Sequence, residues 1–146
     1  QLVHIDFGHF LGNFKVKFGV NRERVPFVLS RDFVYVITNG QKSDKCQEFL
    51  RFREICERAY LILRRHSYLF INLFAMMLST GLPELRSVKD IEYLKKTLGL
   101  NSGEMSAEEA EKAALNKFRK HFDEAYKNST STSLNWAIHN FAKDNK

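Results

Sequence analysis

From Tyr68 to Leu78 the chain has a single polar residue, Asn72. Tyr68, Leu69, Phe70, Ile71, Leu73, Phe74, Ala75, Met76, Met77 and Leu78 go right round a helix, and a helix that is apolar all round is buried all round. Residues 67–80 are therefore expected to form the core helix on which the others pack. Gly81 is expected to cap it, and Pro83 to prevent its continuation. The run falls short of the about 20 apolar residues needed to cross a bilayer. The chain has 146 residues, 44% of them hydrophobic and 13 of them Phe, which suits one domain with an aromatic core.

The flanking segments also carry helical patterns. Phe49, Phe52, Ile55, Cys56, Ala59, Ile62 and Leu63 recur at three- and four-residue spacing, predicting an amphipathic helix from Ser43-Asp44 to near His66. Cys46 and Cys56 lie about 15 Å apart along that helix, too far for a disulfide. No His or Cys stands beside them at metal spacing, so both are expected to be reduced thiols of a cytosolic protein. Ser87 to Asp90 reads as a capping box with Asp in place of Glu, opening a short helix closed by Gly99. Ser106-Ala107-Glu108-Glu109 is a full capping box. It opens a helix with Ala110, Ala114, Leu115, Phe118, Phe122, Ala125 and Tyr126 on one face. Residues 128–133, NSTSTS, read as a polar linker before a last helix holding Trp136, Ile138, His139 and Phe141.

The start of the chain is different. Leu2-Val3-His4-Ile5 reads as a short buried strand, followed by Asp6-Phe7-Gly8. In a D-F-G motif a carboxylate at a strand end holds a magnesium ion that bridges ATP phosphates. Behind it come Gly8, Gly12 and Gly19, then Lys15, Lys17, Arg22 and Arg24, four cations against the single carboxylate of Glu23. The formal net charge of +6 suggests an anionic partner or a generally basic surface. Gln1 carries no basic-then-apolar leader and an expected strand begins at once, so the chain reads as a fragment lacking its N-terminal partner sequence.

Asp6-Phe7-Gly8-His9, with Arg22-Glu23-Arg24-Val25-Pro26-Phe27 behind it, resembles the activation loop of a class I phosphoinositide 3-kinase. Further segments extend the resemblance in order: Ala59 to His66, Gly81-Leu82-Pro83-Glu84-Leu85, Lys89-Asp90-Ile91 and Asn135-Trp136-Ala137-Ile138-His139. The resemblance implies a mainly α fold, the C-terminal part of a kinase C-lobe. It would have one N-terminal strand and activation loop followed by about six helices. Residues 1–146 would be part of the catalytic domain, 6–27 its activation loop and 131–146 a C-terminal tail helix. Ser30 can cap a helix over Arg31 to Ile37 that Asn39-Gly40 would end. The β-branched residues there suit a strand equally, and the resemblance decides for helix.

The resemblance also implies function. Asp6 would be a catalytic metal ligand for Mg2+, with Phe7 and Gly8 positioning it. His9 would face the transferred phosphate and the acceptor hydroxyl as base or charge stabiliser, the alternative being a solvated loop histidine. Lys15 and Lys17 match a first cluster reading a lipid headgroup, and Arg22 a second. Arg24 belongs either to that second cluster or to a structural ion pair with Glu23. Asn21 stands where some family members have Lys. Trp136 and Ile138 would touch a membrane, or else dock a tail helix on the core. Thr130 stands where family members usually have another Trp, and residues 101–113 are longer than usual.

The implied activity is transfer of the ATP γ-phosphate to the 3-hydroxyl of phosphatidylinositol 4,5-bisphosphate. It would be cytoplasmic, recruited to the plasma membrane, with an SH2-containing regulatory subunit. The two basic clusters look like class IA, and the tail is closest to the delta and beta types. The family's phosphate-binding loop, ATP-anchoring lysine and catalytic loop have no counterpart here, so the fragment alone would be inactive. Two other readings remain: a related protein kinase, and a non-catalytic basic helical module that binds membranes. Nucleic acid is not an expected partner, because most Phe fall on core faces and not along a basic groove.

Overall fold

The computed structural model describes residues 11, 16–17, 20–21, 27–41, 44–82, 85, 87–100, 103 and 105–130. Two short strands, β1 (Val16–Lys17) and β2 (Val20–Asn21), pair antiparallel. Helices follow: α1 (Arg31–Ile37), α2 (Gln47–Arg65), α3 (Ser67–Met77) with a 3-10 turn at Leu78–Thr80, α4 (Val88–Thr97) and α5 (Ala107–Thr130). The described chain is thus mainly α, as expected. The expected strand at residues 2–5 and the tail helix at 131–146 lie outside the described residues. The described strands pair within residues 6–27, the stretch expected as the activation loop.

Contacts divide the chain into two units, residues 1–23 with 58–116, and residues 24–57 with 117–146. The core of the second unit is aromatic. Phe122 is 1% exposed, and its ring meets Phe27 and Phe52 at 5.9 Å, Phe49 at 5.7 Å and Phe118 at 6.2 Å, all tilted. Tilted contacts set ring edges against ring faces, which the aromatic quadrupole favours. Phe49 also meets Tyr126 at 4.8 Å. Leu29, Cys46 and Ala125 are buried in the same cluster, with Val34 and Ile37 of α1 packed on it. Along the expected apolar face of α5, Phe122 and Ala125 are buried in this unit and Ala110 and Ala114 in the first, with Leu115, Phe118 and Tyr126 half-buried. Both cysteines are free thiols, and burial pushes the Cys56 thiol up from its ordinary value.

Helix ends follow the capping residues. The Ser30 hydroxyl accepts from the Phe33 amide at 3.2 Å, and the chain leaves α1 through Asn39 at φ 52°. The Ser87 amide donates to Asp90 Oδ2 at 3.0 Å. Ser106 and Glu109 form the full reciprocal box, Ser106 N to Glu109 Oε2 at 3.0 Å and Glu109 N to Ser106 Oγ at 3.3 Å. Two boundaries differ from expectation. α2 begins at Gln47 and not at Ser43-Asp44, because Leu50 donates the first helical bond to Cys46, whose side chain is buried in the core. α5 continues to Thr130 through half of the supposed linker. Asn, Ser and Thr are poor helix formers but not breakers, and no Gly or Pro follows Gly103.

The largest correction concerns α3. It forms where expected and packs against α4, but it is not buried all round. Tyr68 is 78% and Met76 73% exposed, with Leu69 and Leu73 also open. Apolarity all round states what a helix requires; the partner that satisfies it need not lie within these residues.

The first unit is tied at the C-terminal end of α4. The Tyr60 hydroxyl donates to the Thr97 carbonyl at 3.0 Å, and Arg64 Nη2 to the Gly99 carbonyl at 3.5 Å. Both satisfy carbonyls that a helix end leaves without partners. Gly99 itself has φ +67°, and a Cβ built there would stand 2.8 Å from Ala114 Cβ. Gly99→Ala is expected to lower local stability by about 2 kcal/mol through left-handed strain and this overlap. Amide exchange across residues 88–100 of the intact protein should quicken accordingly. Adding Ala114→Gly should recover the steric part alone.

Candidate functional site

The expected site residues precede the helical scaffold. Lys17 is the member of the set whose backbone is described: it lies in β1, in register with Val20, while Val16 is in register with Asn21. Lys15 immediately precedes that pair in the chain and Arg22 immediately follows it, so Lys15 and Arg22 flank the strand pair that holds Lys17. Asp6, Phe7, Gly8, His9, Lys15, Arg22, Arg24, Trp136 and Ile138 lie outside the described residues.

Among the described residues no group of three His, Cys, Asp or Glu could hold a metal ion. The donor that the sequence offers is Asp6, a hard carboxylate outside the described residues. Mg2+ is commonly held by one or two carboxylates together with phosphate oxygens and water, so this donor fits the ion chemically. Among the described residues no helix is long and apolar enough to cross a membrane.

A family model described as "Phosphatidylinositol 3- and 4-kinase" matches residues 1–87. The chain belongs to that family. It is 50% identical over 109 residues to "Phosphatidylinositol 3-kinase 1" of Dictyostelium discoideum, covering 75% of this chain and 7% of that protein. It is 47% identical over 139 residues to "Phosphatidylinositol 3-kinase 3" of the same organism, covering 95% of this chain and 8% of the relative. The chain thus spans less than a tenth of the length of these relatives. The match over residues 1–87 contains Asp6, His9 and all four candidate headgroup cations; Trp136 and Ile138 fall beyond it.

The structure also holds a charge cluster that sequence reasoning did not single out. Arg119 of α5 grips Glu57 of α2 through two bonds, Nε to Oε1 at 2.9 Å and Nη2 to Oε2 at 2.7 Å. Arg53 bonds Glu57 at 3.4 Å and Asp123 at 3.0 Å, and its guanidinium lies 5.7 Å from the Phe122 ring centroid. The i,i+4 pairs Arg53–Glu57 and Arg119–Asp123 are visible in sequence; their meeting across two helices is not. Each carboxylate here is answered by a cation, so the cluster braces α2 against α5 and has no charge left to offer a substrate.

The bidentate bond from Arg119 holds the Glu57 carboxyl below its ordinary value, partly offset by burial, with Arg53 adding to the depression. A depressed carboxylate stabilises the fold fully above its unfolded pKa, about 4.3, and that contribution is lost as the pH falls through the lower folded value. Glu57→Gln is expected to lower stability by about 1 kcal/mol at pH 7, since Arg119 is half exposed and solvent screens the pair. Stability measured against pH should then fall less steeply on acidification below about pH 4.3 than in the parent.

Proposed function

We propose that the intact protein is a class I phosphoinositide 3-kinase, nearest to class IA with a delta- or beta-like tail. Residues 1–146 are the C-terminal part of its kinase C-lobe. The enzyme transfers the γ-phosphate of ATP to the 3-hydroxyl of phosphatidylinositol 4,5-bisphosphate in phosphoinositide signalling. The observation that carries this reading is a coincidence inside one family match: Asp6-Phe7-Gly8-His9 precedes a strand pair that holds Lys17 and lies between Lys15 and Arg22. The relatives' names support a phosphoinositide as acceptor.

Each residue type suits its role. Asp6 would hold Mg2+, which neutralises charge across the ATP phosphates when bound. His9 takes the proton of the acceptor hydroxyl as base or stabilises charge at the transferred phosphate, as an imidazole near neutral pH can. Lys15 and Lys17 grip one headgroup phosphate and Arg22, with Arg24, the other, through charge-assisted bonds. Trp136 and Ile138 touch the bilayer interface, where an indole is favoured. The enzyme works as a peripheral protein, cytoplasmic and recruited to the plasma membrane, with an SH2-containing regulatory subunit. The isolated chain, without the phosphate-binding loop, the ATP-anchoring lysine and the catalytic loop, is inactive.

Asp6→Asn in the intact enzyme is expected to abolish lipid phosphorylation while leaving the melting temperature unchanged, because a neutral amide cannot replace the carboxylate's charge. Near-normal turnover at ordinary magnesium would remove Asp6 from the metal site. The basic clusters have their own test. Charge-assisted bonds are worth about 1.5–3 kcal/mol each, so replacing both Lys15 and Lys17 by Ala should cut turnover of soluble bisphosphate lipid about tenfold or more. Soluble unsubstituted phosphatidylinositol should lose much less, having no 4- or 5-phosphate to release. Equal losses on both lipids, confined to vesicles, would reduce the clusters to membrane attraction.

A further inference from the structure

One side of α2 is bonded and the other is open. Arg53, Glu57, Tyr60 and Arg64 recur at helical spacing, and each is bonded: Arg53 to Asp123, Glu57 to Arg119, Tyr60 to the Thr97 carbonyl and Arg64 to the Gly99 carbonyl. On the open side Ile55 is 53%, Ile62 54% and Leu63 45% exposed, with Ala59 exposed between the two Ile. Arg51, Arg58 and Arg65 run along one edge of this apolar stripe, seven residues apart and all exposed. None of the three makes a hydrogen bond or ion pair among the described residues, and Glu54, one turn from both Arg51 and Arg58, bonds neither. In heptad terms Ile55 and Ile62 stand at d, Ala59 at a, and the three Arg at g. We propose that this face of α2 docks an amphipathic helix of a partner protein, with an apolar heptad seam and carboxylates along the edge that meets the Arg row.

Period and charge together select this occupant. The Ile series and the Arg series both repeat at seven, the register that a second helix reads and that e and g charges use to choose a partner. The cations are all of one kind. α2 holds five Arg and no Lys, whereas α4 and α5 together hold seven Lys and one Arg. The planar fork of Arg takes a carboxylate bidentately, and Arg is enriched at protein interfaces where Lys is depleted. Three unbonded guanidiniums also keep this face out of a protein interior, since a buried charge must be paired. The occupant therefore brings the carboxylates. A second copy of α2 would offer the Arg row either itself or Cys56 and Leu63 at e, never a carboxylate. An anionic bilayer attracts Lys and Arg alike and imposes no repeat.

Binding of two synthetic probes to the intact protein tests this. One is a helix three heptads long with Leu at a and d and Glu at e and g; the other carries Lys in place of each Glu. The Glu helix should bind the wild type, and the Lys helix about tenfold more weakly, because attractive edge pairs become repulsive. Bound Glu helix should slow amide exchange across residues 55–65. The triple variant Arg51→Glu, Arg58→Glu, Arg65→Glu should reverse the preference between the probes, which neither a folding defect nor a generally basic surface can produce. Failure of the wild type to bind the Glu helix would overturn the proposal, and so would binding that the triple variant leaves unchanged. Binding to phosphatidylserine vesicles that the triple variant abolishes, with no binding of the Glu helix, would overturn it in favour of a membrane.

Discussion

Burial of the Phe122 ring is the contact on which one unit of this structure depends. Phe27, Phe49, Phe52 and Phe118 surround it, drawing the segment before α1, the first half of α2 and the second half of α5 onto one centre. Large apolar rings provide most of the driving force here, because full burial of one is worth about 1.5–3 kcal/mol. The ion pairs around Arg53 and Glu57 add less per contact and more direction. A bidentate guanidinium–carboxylate pair fixes the rotation of α2 against α5 in a way that non-directional apolar contact cannot.

The other unit works by a different economy. Its helices are ended by local chemistry, with Ser87 and Asp90 at the start of α4 and a left-handed Gly99 at its close. Tyr60 and Arg64 then bring α2 to that closing turn by bonding its carbonyls. These bonds add to an aliphatic core in which Leu85, Ile91, Leu98, Ala110 and Ala114 are buried, where the other unit has an aromatic one. α3, packed on α4, keeps Tyr68, Leu69, Leu73 and Met76 open.

Chemistry and scaffold are separated along the chain. The residues to which the proposed function gives a part in phosphoryl transfer, Asp6 and His9, and the cations Lys15, Lys17, Arg22 and Arg24 all precede α1. The helices after them carry pairs that satisfy one another. This division suits the proposed function, since reactive groups are most often on loops positioned by a rigid scaffold.

The sequence by itself determined most helix locations, because their signals are local: Ser30, Ser87, Ser106 and Glu109 act within one turn, and the apolar face of α5 is written at helical spacing. The D-F-G-H stretch, the basic clusters and the family were legible for the same reason, being contiguous residue types. Only the tertiary structure decided which apolar faces found partners. Phe122 stands among charged neighbours in the sequence and Tyr68 opens a nearly uncharged apolar run, yet Phe122 is buried and Tyr68 open. The bidentate grip of Arg119 on Glu57, the bond from Tyr60 to Thr97 and the close approach of Ala114 to Gly99 were equally invisible. Periodicity records that a side chain must leave water, but its partner is chosen by long-range packing, which no local pattern encodes.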